Sequence, residues 1–301
     1  MPDTIGGLAA LGTSILWAAT STFFTFASRE LGSAAVNRVR LLLATLFLAI
    51  THLAIEGVLL PTNVKPEAWF WFVLSGVIGL VLGDAFLFQA FVWIGPRLSM
   101  LLMSLAPVIS MIFSWIFLAE RLTLLQVLGI GLTVLGVSTV IFDRGKPNGT
   151  DGQNRHYLKG LLFGLGGAIG QALGLVTSKV GLNAGLSPLS GNLIRMFSAA
   201  VIMWLFALIM NQARVTLVSV RHSSRARSFL FIGALTGPFL GVWLSLTAIQ
   251  HTSVGIASTL MSLPPIFLLP VGKIIFKERI GWRAVVGTVV AISGVAMLFL
   301  V

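Results

Sequence analysis

Residues 102–121 read LMSLAPVISMIFSWIFLAER, and residues 260–279 read LMSLPPIFLLPVGKIIFKER. Both stretches begin with Leu-Met-Ser-Leu, carry a proline five residues after the first leucine, and end in Glu-Arg. The apolar run inside each stretch is about as long as one helical crossing of a bilayer, which takes roughly 20 residues. Chance is poor at placing a serine, an embedded proline and a terminal charged pair in the same register. The two stretches therefore predict an internal repeat.

The same offset of 158 positions matches residues on both sides of these stretches. It superposes Gly79 on Gly237, Gly83 on Gly241, Ala90 on Ala248, Gly129 on Gly287 and Gly136 on Gly294. Nearer the start of each half the offset is 155, and it superposes Asn37, Arg40 and Ala44 on Asn192, Arg195 and Ala199. We interpret the chain as two copies of one unit, residues 1–142 and 158–301, joined by a polar linker of residues 143–157.

The composition places both units in a membrane. Of the 301 residues, 56% are hydrophobic and 10% are charged, whereas a water-soluble domain has roughly a quarter charged residues. Because hydrocarbon offers no partner to a free backbone group, apolar segments of crossing length must be helices. We predict an all-α polytopic protein with ten transmembrane helices, at residues 5–26, 36–55, 69–92, 98–118, 122–142, 158–177, 189–210, 229–249, 255–276 and 280–301.

An odd number of helices in each unit has a topological consequence. If each copy crosses the membrane five times, the second copy enters upside down relative to the first. Such an inverted-topology repeat is typical of secondary transporters, whose substrate site lies near the bilayer midplane between the repeats.

The ordered motifs resemble the drug/metabolite transporter superfamily, and specifically its ten-helix EamA-like families. The residues that carry the resemblance are Leu16-Trp17, Arg40 and Arg195, the Met-Ser-Leu-x-Pro runs ending at Pro107 and Pro265, and Glu120-Arg121 and Glu278-Arg279, each followed by a glycine-rich helix. The resemblance implies two inverted halves around a central cavity, moving small metabolites by alternating access. It does not identify the metabolite.

Several chemistries find no support in the sequence. The absence of cysteine excludes a disulfide framework, a thiolate metal site and cysteine nucleophiles. No Walker motif is present, and the four histidines lack metal-ligand spacing. We therefore expect no cofactor, no metal and no enzymatic activity. The Lys and Arg residues that give the net charge of +11 lie in short loops. This distribution favours a role of the charge in membrane orientation over binding of a nucleic acid.

The distribution of basic residues predicts the orientation. When loops are numbered by the predicted helices, 16 of the 20 Lys and Arg residues fall on one side. Because positive loops stay cytoplasmic, this count places both termini outside, whereas the family resemblance implies termini inside. We follow the charge count, and expect a multi-pass protein of a bacterial inner or plasma membrane.

Asp84 is the acidic residue that lies well inside a predicted span. A carboxylate at that depth is costly unless it is paired, hydrated or protonated, so it indicates a substrate or proton site. A buried hydrogen bond that fixes helix packing is the alternative. Its counterpart in the second half is Val242, so the feature is asymmetric.

Arg40 and Arg195 lie in the first turns of the second and seventh predicted helices. Inversion would place them at opposite mouths of the cavity, where each could bind a carboxylate or phosphate. Snorkelling to the interface or structural pairing is the alternative. The polar residues Trp17, Gln171, Ser104 and Ser262 either line a wet cavity or bond between helices, at about 1 kcal/mol per bond.

Prolines and charged pairs complete the candidate set. Pro107, Pro264 and Pro265 interrupt two predicted helices, where each removes a backbone bond and provides a kink, a hinge or a cavity-facing carbonyl. We interpret Glu120 with Arg121, and Glu278 with Arg279, as ion pairs or caps in tight turns. Gating at the two faces is the alternative role.

These features favour a secondary transporter or exporter of a small organic metabolite, such as an amino acid or a related compound. The expected partners are that solute and membrane lipids, with proton coupling through Asp84, and the oligomeric state stays open. A flippase for a lipid or lipid-linked anionic precursor is the alternative, with Arg40 and Arg195 holding a phosphate. A membrane-embedded lipid-modifying enzyme is a minor alternative.

Overall fold

The structure is a computed structural model of the chain. It describes residues 2–61, 64–118, 122–143, 151–182, 186–251 and 260–299. Regular secondary structure in these ranges is helical. Glu120 and Arg121, which we expect to pair at the end of the fourth predicted helix, lie outside the described residues.

Thirteen α-helices are formed within the described residues. They are α1 Pro2–Leu31, α2 Ser33–Glu56, α3 Pro66–Ser75, α4 Asp84–Met103, α5 Leu105–Leu118, α6 Leu124–Asp143, α7 Asp151–Leu182, α8 Pro188–Ile209, α9 Ala213–His222, α10 Ser224–Ala234, α11 Val242–His251, α12 Pro264–Ile274 and α13 Trp282–Phe299. The π-helical stretch Gly76–Gly83 joins α3 to α4, and Leu235–Gly241 joins α10 to α11.

Seven helical segments of the described ranges are long and apolar enough to cross a membrane. The predicted crossing at 255–276 falls partly on residues 252–259, outside those ranges. The chain is thus an all-helical, multi-pass protein, and ten crossings remain a prediction. Helix α7 begins at Asp151, so residues 151–157, which we predict as linker, are helical.

The two π-helical stretches recur at repeat-related positions. The offset of 158 places residues 76–83 on residues 234–241, and the second stretch covers 235–241. Since π-helices account for well under 1% of residues in globular proteins, their coincidence is a backbone signature independent of the sequence matches. It supports the internal repeat.

Glycine and proline set the breaks in the first half. Gly95 has φ 80° and ψ 167°, immediately before Pro96, and there the backbone leaves the helical conformation inside α4. This break falls between the predicted crossings 69–92 and 98–118. A second irregularity, at Ser104, separates α4 from α5. Pro107 accounts for it, because its ring cannot donate to the carbonyl of Met103 four residues earlier.

A proline in the second half, next to the counterpart of Pro107, leaves a carbonyl that another helix uses. Pro264 has no N–H to donate to Leu260, and the Leu260 carbonyl instead accepts a hydrogen bond from the Ser14 hydroxyl of α1. The predicted role of these prolines, a hinge or a cavity-facing carbonyl, stays a prediction. The bond ties the segment just before α12 to the first helix of the other half.

Glycines allow α7 to pack against the first π-helical stretch. A methyl group at Gly170 would lie 2.6 Å from the Cα of Gly83, and one at Gly174 would lie 2.9 Å from the Cα of Gly79. Such distances are too short for any side chain. The four-residue spacing of these glycines in α7 thus permits close backbone contact.

Helices α6 and α13, which are equivalent in the repeat, pack against each other. A methyl group at Gly129 would lie 2.7 Å from the carbonyl oxygen of Gly294, and one at Gly136 would lie 2.5 Å from that of Gly287. The early residue of one helix thus meets the late residue of the other, so the helices run antiparallel. Because Gly129 corresponds to Gly287 and Gly136 to Gly294, the contact is self-complementary, as across a two-fold axis.

Candidate functional site

A cavity of about 420 Å³ lies between the two halves of the chain. Its polar lining residues come from α1, α2, α4, α7 and α8: Trp17, Thr20, Ser21, Arg40, Asp84, Gln171, Asn192 and Arg195. Ligand sites typically have volumes of roughly 300–1,000 Å³ and a few convergent polar groups. Five predicted site residues are thus brought to one place: Asp84, Arg40, Arg195, Trp17 and Gln171.

Asp84 and Arg40 form a buried ion pair in this cavity wall. Arg40 Nη2 donates to Asp84 Oδ2, and the side chains are 4% and 6% exposed, in that order. Arg40 Nε also donates to Asn37 Oδ1 at 3.0 Å, and its guanidinium lies 4.9 Å from the centre of the Phe88 ring. Arg40 therefore does not snorkel, since its charge is satisfied inside the protein.

Arg195 lies on the same cavity and interacts electrostatically with Asp84. The prediction that Arg40 and Arg195 occupy opposite mouths is therefore wrong. Helices α2 and α8 begin at Ser33 and Pro188, so each arginine lies seven positions beyond the helix start. At 1.5 Å per residue this is about 10 Å into the bundle, far enough for both to reach the same centre.

Two buried donors on the second-half side have no acceptor. Arg195 Nε and Asn192 Nδ2 make no hydrogen bond with any described residue. Both side chains line the cavity. A buried donor without a partner costs about 1–3 kcal/mol, and more when the group is charged. Among the described residues that line this cavity, Asn192 and Arg195 are the two with a buried side-chain donor that lacks a hydrogen bond.

The remaining wall is apolar and adaptable. It is formed by aromatic rings and methionines, namely Phe24, Phe88, Phe91, Met100, Met103, Met196 and Met261. Methionine side chains are flexible and polarisable, and such residues accept ligands of different shape. The cavity therefore combines a small charged region with a broad apolar surface.

A second cavity of about 330 Å³ adjoins the first and contains the remaining predicted polar and hinge residues. Its lining shares Met100, Met103, Leu175 and Met261 with the central cavity. It also includes Ser104, Ser262, Pro107, Pro264 and Pro265. The Ser104 hydroxyl donates to the Leu101 carbonyl at 2.6 Å, so this serine is satisfied within its own helix.

Another cavity, also about 330 Å³, shares Asn192 and Val242 with the central one. It includes Glu56 and Ser187, at the end of α2 and the start of α8. The Glu56 carboxylate accepts hydrogen bonds from Ser187 Oγ at 2.7 Å and from Ser190 Oγ at 3.1 Å. These bonds join the two helices at that end of the cavity.

His52 lies in the same cluster but is not arranged as a catalytic base. Its Nε2 is 2.9 Å from Ser190 Oγ and 3.0 Å from Glu56 Oε2, and its Nδ1 is 2.6 Å from the Val58 carbonyl oxygen. In a serine triad the carboxylate orients the nitrogen opposite to the nucleophile. Here serine and carboxylate share one nitrogen, so the cluster holds α2 to α8 rather than activating Ser190.

At the end of the bundle opposite to Glu56, Glu278 pairs with Arg97, a residue that the sequence analysis did not select as a candidate. Arg97 Nε donates to Glu278 Oε2 at 2.6 Å, and the side chains are 4% and 9% exposed. The expected partner Arg279 is exposed instead. The reason is that α12 ends at Ile274 and the chain turns back through Lys277, with φ 52°, which directs the Glu278 carboxylate towards the other half.

Comparison with known families decides the identity of the chain. The EamA-like transporter family matches residues 4–142 and again residues 158–300. The chain belongs to the EamA-like transporter family. The double match agrees with the repeat read from the sequence, and the family is one of membrane transporters of the drug/metabolite type. This EamA-like chain is therefore an integral, multi-pass membrane protein.

Solved structures show the same fold. A crystal structure of a protein aligns with 97% of the EamA-like chain and 94% of its own chain, with a TM-score of 0.60 and 15% sequence identity. At that identity the similarity concerns the fold alone. A comparison with curated proteins finds no match.

Sequence reasoning missed two features of this site. Asn37 and Asn192 entered as repeat matches and not as site residues, although the Asn-x-x-Arg spacing puts both side chains on one helix face. Arg97 follows a glycine and a proline in the sequence, a pattern that is typical of a loop residue without a specific partner. Its pairing with Glu278 spans 181 positions, and no local pattern indicates such a contact.

Proposed function

We propose that this chain is a secondary transporter that moves a small organic metabolite, such as an amino acid or a related compound, by alternating access. The observation that carries the proposal is the central cavity, in which Arg40, Asp84 and Arg195 from the two halves converge. A charge cluster inside membrane-crossing helices is costly and marks a substrate or ion pathway.

Inverted halves are the second part of the proposal. The equivalent helices α6 and α13 pack antiparallel and in a self-complementary way. This packing supports inverted halves, because equivalent helices that run in opposite directions belong to units that are inverted relative to each other.

The π-helical stretches beside the cavity are the third part of the proposal. π-Helical elements within α-helices occur frequently at functional sites, and here the stretches immediately precede Asp84 and its counterpart Val242.

Alternating access requires that one end close while the other opens. The buried pair Arg97–Glu278 joins the halves at one end of the bundle. At the other end, the cavity that includes Glu56 and Ser187 continues from the central one. We assign the described conformation to a state closed at the Arg97 end. At the other end, the solute passes when the bonds from Ser187 and Ser190 to Glu56 open.

A flippase for an anionic lipid precursor remains the second candidate. In that mechanism Arg40 and Arg195 would together hold a phosphate. The Arg40–Asp84 pair weighs against it, because the Arg40 guanidinium already binds a carboxylate and Asn37. Transfer of a fluorescent phospholipid between leaflets, measured in the same vesicles, separates the two functions.

The experiment that tests the proposal is uptake into proteoliposomes containing the purified chain. A panel of radiolabelled metabolites is presented with and without a pH gradient, and the series is repeated with Asp84→Asn. We expect saturable uptake of at least one solute, stimulated by the gradient, with the stimulation absent in Asp84→Asn. Gradient-independent uptake that is unchanged in this variant would remove Asp84 from the coupling, and uptake of no solute would contradict transport.

A further inference from the structure

The two halves carry the same Asn-x-x-Arg motif, but a carboxylate completes it in the first half alone. There Asn37 accepts from Arg40 Nε at 3.0 Å and donates to the Leu80 carbonyl at 3.0 Å. Asp84 Oδ2 pairs with Nη2 of the same Arg40 guanidinium. The offset of 158 places Val242 at the position equivalent to Asp84.

The second copy of the motif is left incomplete. Asn192 Nδ2 and Arg195 Nε, which match Asn37 and Arg40, have no hydrogen-bond partner among the described residues. Val242 lines the same cavity and offers no acceptor. The repeat has thus kept the asparagine and the arginine beside the cavity and placed an apolar side chain where the first half has a carboxylate.

We propose that the transported molecule supplies this missing carboxylate. The ligand is an organic solute with a carboxylate on an apolar body. Its carboxylate binds the Arg195 guanidinium beside Val242, in the relation that Asp84 has to Arg40. The inference rests on the proposed function, because it takes the central cavity as the transport site.

The net charge of the central cavity and its apolar lining favour a carboxylate ligand over a phosphate. The described charged residues that line the cavity are Arg40, Asp84 and Arg195, which together carry one net positive charge. One carboxylate balances that charge, whereas a phosphate monoester brings about two negative charges at neutral pH. Unbalanced charge away from water is strongly unfavourable. Met100, Met103 and Met261 receive the apolar body.

Binding to the purified full-length chain in detergent tests the ligand class. The probes are 3-phenylpropanoate, its neutral amide 3-phenylpropanamide, and phenyl phosphate, measured by isothermal titration. We expect 3-phenylpropanoate to bind at least tenfold more tightly than the other two. Equal or tighter binding of the amide would overturn the anion site, and tighter binding of phenyl phosphate would overturn the carboxylate assignment.

A matched pair of variants tests the position. Val242→Asp places a carboxylate where the first half has one, and Val242→Asn adds a side chain of nearly the same size without charge. We expect Val242→Asp to bind 3-phenylpropanoate at least tenfold more weakly than Val242→Asn, with a melting temperature no lower. Equal affinity of the two variants would overturn the proposal.

Uptake by the same variants distinguishes this inference from the proposed function. If the wild-type chain transports solutes and Val242→Asp transports carboxylates as well as Val242→Asn does, the anion site is wrong and transport stands. If the wild-type chain binds 3-phenylpropanoate as expected but moves no solute, the anion site stands and the proposed function is wrong.

Discussion

Arg97 and Glu278 join the two halves of the chain through a hydrogen bond of 2.6 Å between Nε and Oε2, with both side chains almost fully buried. Gly95 and Gly272 lie against this pair, since a methyl group at Gly95 would come within 3.1 Å of Glu278 Oε1 and one at Gly272 within 3.2 Å of Arg97 Cδ. The backbone therefore approaches the pair closely at the turn between the third and fourth predicted helices.

The pair provides a test of gating. Removing one partner of a buried ion pair typically costs about 3–5 kcal/mol, because the other charge is left uncompensated. We expect Arg97→Gln and Glu278→Gln each to lower the melting temperature and to reduce uptake at least tenfold. The exchanged variant Arg97→Glu with Glu278→Arg should recover part of both. Single variants with wild-type uptake would contradict a role of the pair in closing this end.

The Arg40–Asp84 pair allows stability and function to be separated. Asp84→Asn leaves the Arg40 charge buried without a counter-charge, so we expect a loss of about 3–5 kcal/mol of stability. The double variant Arg40→Met with Asp84→Leu replaces the pair by apolar side chains, a change that is often neutral or stabilising.

We expect the Arg40→Met, Asp84→Leu protein to melt near the wild-type temperature and to transport nothing in the proteoliposome assay. The melting temperature serves as the folding control for the uptake measurement. Wild-type uptake by this stable double variant would show that the pair serves packing alone.

The interface between α6 and α13 predicts that the stability cost of a Gly→Ala substitution in α6 depends strongly on its position. At Gly136 a methyl group would meet backbone atoms of Ala291 and Gly287, which cannot move aside as a side-chain end can. We expect Gly136→Ala to cost about 3 kcal/mol, at the upper end of the usual range for overpacking.

Gly131 is the matched control on the same helix, because a methyl group there would meet no atom within 4 Å. Gly131→Ala should be neutral or slightly stabilising, by up to about 1 kcal/mol from helix propensity. The two variants are compared by unfolding in increasing sodium dodecyl sulfate. Equal midpoints would mean that α6 and α13 do not pack as described.

The orientation follows from labelling of single cysteines, since the sequence contains none of its own. Leu59 and Ser224 are exposed and lie at opposite ends of the helix bundle. If the basic face is cytoplasmic, a membrane-impermeant maleimide should label Leu59→Cys in intact cells, and Ser224→Cys only after permeabilisation. The reverse pattern would support the family habit of termini inside.

The sequence by itself determined the class of the protein, its repeat and the breaks in its helices. These properties depend on local chemistry: apolar length sets a crossing, a proline removes a bond to the residue four positions earlier, and glycines permit close contact. Asp84, Arg40 and Arg195 could be chosen as candidates for the same reason, since a charged residue inside an apolar span is costly and can be recognised from the sequence.

The tertiary structure decided which of these residues meet. Asp84 binds Arg40 at a separation of 44 positions, Glu278 binds Arg97 rather than its neighbour, and Arg195 shares a cavity with both members of the first pair. A repeat fixes which residues correspond, but not which of them touch. Contacts between distant helices depend on the direction, depth and rotation of each helix, and these are set by packing of the whole bundle.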